Sequence, residues 1–598
     1  MTPRPATSVP PRVDRHWVIA PHHPDRVRLA NEARIDPLLA QILLNRGVTT
    51  ATDVRQFLAP EFRSLLPPES LPGAVEAARR LADAAKTGKR IVIYGDYDVD
   101  GVTATAILWH GLRLAGATVD YYIPRRLEEG YGLSADAIEQ LANDGAQLII
   151  TVDCGITAVA EAEVAKRRGV ELIITDHHEP KSKLPDAALL VHPTALAEKC
   201  PNPNLSGAGV AHKIAWALAQ ILSQSQRVTP QLREYLLDAT AFAALGLIAD
   251  IVPLVGENRV IASFGLRQLH DTKNAGLQAL IEVSGLSHKS GSANRSTKFD
   301  DYDVGFMLAP RLNAVGRMGH AIEAVELFTH ADEVRAHEIA TKLDELNRER
   351  QGIEKDIVAS AEAMVVELGM HRDSCRGIVL ASREWHAGVI GIVASRLVDR
   401  FGRPTVLISH DGELGQGSGR SVRNFPLHEV LAACGTHLVS HGGHAMAAGV
   451  KVRTDAIDAF TNAFMVEAAN RLTPADLKPR LNIDDEVDIG RLAGETVEAI
   501  QKMAPFGMGN ARPRLSTGVV ELIEEPRVIG NTGQHLRFAV RAGSGGNGAI
   551  RTVVAFNRGA ERDLIADHPR MKIAFEPVIN EWQGRKKVEL KLVDWREA

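Results

Sequence analysis

Three times between residues 90 and 178, a short run of branched apolar residues leads straight into acid. "RIVIYG" is followed by Asp96, Asp98 and Asp100, "QLIITV" by Asp153, and "ELIIT" by Asp176, His177 and His178. Apolar runs this short and unbroken read as strands buried on both faces. Ala-rich stretches such as "ATAILWHGLRLAGA" and "ITAVAEAEVAKRRG" lie between them. Strand–helix alternation from Ala74 to about Thr329 predicts an α/β region with a parallel sheet covered by helices. In such open sheets, ligands collect beyond the carboxyl ends of the strands. Three strands therefore deliver carboxylates and imidazoles to one sheet edge, and "LGLIADIVPL" adds Asp250 in a strongly apolar setting.

One or two such aspartates would usually be a solvated loop. Several in one crevice repel each other, and some would take up protons. A divalent cation removes that penalty. Aspartates with one or two histidines suit Mn²⁺ or Mg²⁺ better than a cysteine-rich zinc site. Two ions roughly 3.5–4 Å apart, sharing a bridging carboxylate, form a clamp for in-line attack at phosphorus.

The 598 residues leave room for roughly three or four domains. A net charge of −5 gives no global basic field, so any nucleic-acid contact rests on local patches. Cys154, Cys200, Cys375 and Cys434 are far apart and form no CxxC, which points to a reducing compartment, expected to be the cytoplasm. The opening "MTPRPATSVPPRVDRHW" has no apolar core and reads as an irregular leader rather than a signal peptide. The most apolar stretch, residues 236–255, carries Asp238, Asp250 and Pro253, which a membrane span does not tolerate cheaply. The expected organisation is an N-terminal extension (1–75), an α/β domain (76–330), a connecting helix (331–368), a smaller glycine-rich α/β domain (369–472) and an all-β domain (478–598). "GSGGNG" (543–548) reads as a hairpin loop.

"YGDYDVDG", "TVDCG", "TDHH" and "LGLIADIVPL" resemble the four motifs of the DHH phosphoesterases. "APRLNAVGRMG", "WHAGVIGIVASRL", "GSGRSVRNF" and "GGHAMAAGV" extend the likeness in order, over roughly residues 75–598. Together they resemble the branch of that family that degrades single-stranded DNA from the 5′ end to mononucleotides, in recombination and repair. The resemblance implies one metal ion on Asp98 and Asp153 with Asp96 beside it, and a second on Asp100, Asp153, His177 and Asp250. Asp176 and His178 would orient His177 or meet a phosphate oxygen, and an aspartate or His178 would take a proton from attacking water.

Arg126, Ser421 and Arg423 are implied in gripping a 5′ phosphate, for which arginine forks and hydroxyls are suited. Arg311, Asn313 and Arg317 offer further polar groups, and His444 stands among glycines that let the backbone approach a phosphate. Trp385 suits a stacked base or a core position equally. The C-terminal β-domain resembles an OB-fold, with Phe538, Phe556, Trp582, Arg585, Lys586 and Lys587 weighed between strand contact, core and solubility. The implied partners are single-stranded DNA, single-strand-binding protein and a RecQ-type helicase, acting with a monomer. Three other readings are a small-substrate phosphodiesterase of the same family, a non-catalytic DNA-binding scaffold and a pyrophosphatase, which needs no OB-like domain. An assay on long strands against dinucleotides tests the first, and a Mn²⁺ titration the second.

Overall fold

The computed structural model describes residues 15–125, 132–289, 298–530, 533–543, 548–582 and 585–598. They form two compact units. One, the acid-bearing unit, comprises residues 52–348 with 502–512. The other, the barrel-bearing unit, comprises residues 15–51, 349–501 and 513–598. The break between them falls inside the 35-residue helix Glu333–Glu367, which the sequence marks as a connector.

The acid-bearing unit is built on five parallel strands in the spatial order Thr118–Tyr122, Arg90–Gly95, Leu148–Val152, Glu171–Thr175, Leu189–Val191. Successive residues of each strand enter different cores. Ile91, Ile93, Leu148 and Ile150 join one cluster, and Val92, Tyr94, Ile149 and Ile174 join the other. That two-sided burial is why the strands read as unbroken apolar runs. The strand order reverses direction at Arg90–Gly95 and Leu148–Val152, so the crevice of a topological switch point opens between their carboxyl ends.

The barrel-bearing unit holds two structures. The first is a five-stranded mixed sheet in the order Ser440–Gly443, Ala447–Arg453, Leu414–Arg420, Thr405–His410, Ile378–Ser382. The second is a closed ring in which Arg570–Trp582 pairs with Val520–Leu522, then His535–Ala542, Ile550–Ala555 and Arg585–Glu597, which pairs back with Arg570–Trp582. A closed five-stranded barrel is the OB architecture.

The N-terminal segment departs from the expected extension. His16–Ile19 forms a parallel strand against Arg480–Ile483, and Trp17 donates its indole N–H to Asp594 at 2.8 Å. Residues 52–75 belong instead to the acid-bearing unit. The leader before residue 15 and the loop tip 544–547 lie outside the described residues. Among the described residues, no helix is long and apolar enough to cross a membrane. All four cysteines are free thiols.

Candidate metal centre

Asp98 caps the helix Val99–Leu114, accepting from the amides of Asp100 and Gly101 at 2.9 and 3.2 Å. This places Asp100 in the first turn of that helix, pointing into the switch-point crevice. There its carboxylate accepts from the amides of Gly207 (2.5 Å) and Ala208 (3.0 Å), the first residues of helix Gly207–Ser223. A helix N-terminus favours negative charge, so one helix start holds an acid displayed by another. Asp153 follows its strand in the left-handed region, at φ 63°. Aspartate tolerates that conformation better than most residues.

Asp250 arrives differently from the other acids. It ends the helix Pro230–Ala249 rather than a strand, and Ile251 after it stands at φ 60°. Glycine is required beside two of these acids. A Cβ on Gly246 would sit 2.3 Å from Asp100 Oδ1, and one on Gly207 would sit 2.5 Å from Asp153 Cβ.

His177 is the hub of the centre. Its Nε2 lies 3.1 Å from Asp153, 3.6 Å from Asp250 and 3.8 Å from Asp100. Yet this buried nitrogen makes no hydrogen bond among the described residues. A nitrogen surrounded by three carboxylates but bonded to none is poised for a cation between them. The ligand atoms of Asp100, His177 and Asp250 lie within 4.8 Å of one another, as do those of Asp96, Asp98 and Asp153, and those of Asp153, His177 and His178. The donor set and its spacing fit Mn²⁺ or Mg²⁺.

Asp176 is the brace behind the hub. Its carboxylate accepts from the amides of Ile156, His177 and His178 at 2.9, 2.7 and 3.1 Å, and from His178 Nδ1 at 2.8 Å. The His178 carbonyl in turn meets His192 Nε2 at 2.8 Å. The turn carrying both histidines is thereby pinned from three sides.

The charges follow the geometry. Burial and the charge of Asp98 push the Asp100 carboxyl up to about 6. Burial, Asp100 and Asp98 push Asp250 to about 8. Burial and the surrounding aspartates raise Asp153 well above the usual carboxylate range. Burial also tends to raise Asp176, but the His178 hydrogen bond and charge overcome it and hold the acid down to about 2. Burial and the neighbouring His178 lower His177 to about 3, leaving a neutral imidazole with a free lone pair. For His178, burial works downward, but Asp176 holds it up at about 9.

Several residues expected to touch a strand have other partners. Arg311 is forked onto Asp344 at 2.9 Å. The Asn313 side-chain carbonyl accepts from the Val99 amide at 3.2 Å, at the start of the Asp98-capped helix. Ser421 is buried and donates its hydroxyl to the Phe425 carbonyl, closing a turn. Trp385 is buried in the core. Arg317 is half-buried near the end of helix Ala309–Met318. Arg423 and His444 are exposed on the barrel-bearing unit, and Arg126 lies outside the described residues.

The glycines of "LGQGSGR" serve packing. Cβ atoms on Gly415, Gly417 and Gly419 would meet Ile408, Val450 and Leu427 at 2.5–2.7 Å. In the barrel, Phe538 is core, whereas Phe556 is exposed with Lys591 5.8 Å from its ring. Arg585 and Lys587 are exposed, and Lys586 pairs with Glu498 at 2.8 Å. The side chain of Trp582 lies outside the description.

The sequence did not point to the amides of Gly207 and Ala208, to Asn313 as a clamp, or to the His192 prop. "NLSGAGV", with Ser206 capping the helix, was the available signal for the first of these.

Comparisons with known proteins agree with this geometry. Residues 90–243 match the DHH family N-terminal domain, 375–469 the DHHA1 domain and 483–594 the RecJ OB domain. The single-stranded-DNA-specific exonuclease RecJ of Bacillus subtilis is 40% identical over 583 residues, covering 97% of this chain and 70% of that protein. The Escherichia coli protein of the same name is 33% identical over 576 residues, covering 93% and 95%. The crystal structure of RecJ from Thermus thermophilus in complex with Mn²⁺ matches with a TM-score of 0.79 at 31% identity, covering 98% of this chain and 80% of that one. The Mg²⁺ complex from the same organism matches at 0.74 and 29%, covering 98% and 78%.

Proposed function

The chain belongs to the RecJ family of single-stranded-DNA-specific exonucleases, and from that membership we propose that it hydrolyses single strands from the 5′ end to mononucleotides with two divalent ions, in recombination and repair. The observation that carries this reading is His177 Nε2, within 3.8 Å of three carboxylates and without a hydrogen bond among the described residues, with Asp96 and Asp98 grouped with Asp153 within 4.8 Å.

In this reading Asp153 would be shared between two ions, Asp98 would help hold one with Asp96 beside it, and Asp100, His177 and Asp250 would help hold the other. When bound, Mn²⁺ or Mg²⁺ supplies the charge that keeps these acids ionised and that activates water against phosphorus. The chain's own residues do the rest. The Gly207 and Ala208 amides fix the Asp100 carboxylate in one orientation. Asp176 locks the His177 backbone and keeps His178 protonated, so that His178 offers positive charge or a proton to a phosphate oxygen, and an aspartate rather than His178 takes the proton of the attacking water. Asn313 and Arg311 position the helices, while Arg126, Arg317, Arg423 and His444 remain the groups proposed for the 5′ phosphate and the strand backbone, with Ser421 shaping the turn that carries Arg423. Single-strand-binding protein and a RecQ-type helicase are the proposed partners, the cytoplasm is the proposed compartment, and the protein acts as a monomer.

Oligonucleotides labelled at the 5′ or the 3′ end, incubated with and without Mn²⁺, test the reading. Early release of the 5′ label as a mononucleotide, only with metal, is expected. Early loss of the 3′ label, or release without metal, would overturn it.

A further inference from the structure

Two amides hold the Asp100 carboxylate, but that of Asp250 makes no hydrogen bond among the described residues. His177 Nε2, at 3.6 Å, is beyond bonding distance. Asp250 is therefore placed by its backbone alone: by the end of helix Pro230–Ala249 before it and by the turn after it, residues 251–255, which leads into helix Gly256–Gln268. The turn opens in the left-handed region at Ile251, a conformation that persists only where its surroundings enforce it. One side of the turn is held locally, by Asn258 Nδ2 donating to the Pro253 carbonyl at 3.0 Å.

The other side is held from far along the chain. The segment Lys502–Arg512, which in sequence joins helix Gly494–Gln501 to the barrel strands, is packed into the acid-bearing unit. Its Met508 carbonyl accepts from the Leu254 amide at 2.8 Å. Gly507 and Gly509 lie directly against the turn. A Cβ on Gly507 would come 2.8 Å from Leu254, and one on Gly509, which stands at φ 72°, would come 3.2 Å from Val255 and 3.4 Å from Pro253. The segment has its own internal ties. Gly507 and Asn510 exchange backbone hydrogen bonds at 3.0 and 3.1 Å, and the buried Asn510 side chain donates to the Met503 and Pro505 carbonyls at 2.8 and 2.9 Å. Asp301 accepts from the Phe506 amide at 2.9 Å and from Arg512 at 3.3 Å. The anchor is Arg259, a buried guanidinium that donates to the carbonyls of Lys502, Ala504 and Pro505 at 3.3, 2.8 and 3.3 Å, and to that of Phe57 at 2.9 Å. A buried cation is tolerated only when its donors are satisfied, and here three of the four bonds go to this one segment.

We propose that Lys502–Arg512 is a positioning strap for the metal centre: through Leu254 it fixes the turn that aims Asp250, and so sets how tightly an ion on Asp100, His177 and Asp250 is held. The inference rests on the metal reading given above and goes beyond it by assigning part of the metal affinity to residues that touch no ligand atom. The strap residues act through the turn and take no part in the chemistry.

Calorimetric titration of the full chain with Mn²⁺ tests this. Asn510→Ala unties the strap, and Gly509→Ala sets a methyl group against Pro253 and Val255 in a conformation alanine rarely adopts. Each is expected to weaken one Mn²⁺ site about tenfold and to leave the other within about twofold. Hydrolysis lost at low Mn²⁺ should return at high Mn²⁺. Leu280→Ala, in the core of the same unit, is the control for general destabilisation: it should lower the melting temperature and keep wild-type Mn²⁺ affinity. Unchanged Mn²⁺ affinity in both strap variants, with native circular dichroism, would overturn the inference, as would an equal loss in Leu280→Ala. In either case, Mn²⁺ uptake by the wild type would leave the metal reading standing. A wild type that takes up no Mn²⁺ would overturn both.

Discussion

At the residue scale, Asp100, Asp153 and Asp250 are held in a state that favours protons until a cation arrives. Asp100 and Asp250, with ordinary values near 3.8, stand at about 6 and about 8. A carboxyl raised on folding binds more protons in the folded than in the unfolded chain. Its contribution is fully present below the unfolded value and is lost as pH rises through the folded value. The metal-free protein should therefore lose stability as pH climbs from about 4 to about 8. Asp250→Asn should flatten that slope in thermal melts across the same range, and an unchanged slope would refute the assignment. For the same reason, Mn²⁺ affinity should rise with pH between about 6 and 8, with protons released on binding, as calorimetry in buffers of different ionisation enthalpy would report. Ile251 makes a separate point. A β-branched residue at φ 60° is strained, and this one is exposed, so little packing is lost on replacing it. Ile251→Asn should stabilise the chain by about 1 kcal/mol, read by chemical denaturation, because asparagine tolerates the left-handed region.

At the scale of elements, what the sequence could reveal depended on whether the signal was local. Strand ends carrying acids were legible because burial on both faces writes an unbroken apolar run, and the acid follows at once. The long connecting helix was legible from its length without proline. The helix-terminal origin of Asp250 was not, since an apolar stretch of that kind suits a buried helix and a buried strand alike. Nor was the purpose of the glycines in Leu414–Arg420, because close sheet packing and approach to phosphate ask for the same residue. Arg311, Asn313 and Ser421 looked like ligand groups until their partners, far along the chain or buried in a turn, came into view. Close approach of elements also makes a prediction. Gly246→Ala would drive a methyl group into Asp100 and Ala208. It should cost about 1–3 kcal/mol of stability. Mn²⁺ affinity should fall about tenfold as Asp100 is displaced. Wild-type affinity in a folded variant would show that this contact does not position the acid.

At the scale of the whole molecule, segments near both ends of the described residues meet in one unit. His16–Ile19 adds a strand to Arg480–Ile483, and Trp17 reaches Asp594, a pairing across more than four hundred residues that no local pattern announces. Residues 15–51 therefore serve the C-terminal half, and deleting them should destabilise the barrel-bearing unit rather than the acid-bearing one. Limited proteolysis with mass mapping would show which unit opens first. The acid-bearing unit, in contrast, draws every grouped metal ligand from residues 96–250. That concentration permits a direct trial of the central claim, that strand and helix ends converge to hold two cations. Crystals grown with Mn²⁺ and measured at the manganese absorption edge should show two anomalous peaks about 4 Å apart with Asp153 touching both. A single peak remote from Asp153, or none among these side chains, would contradict it.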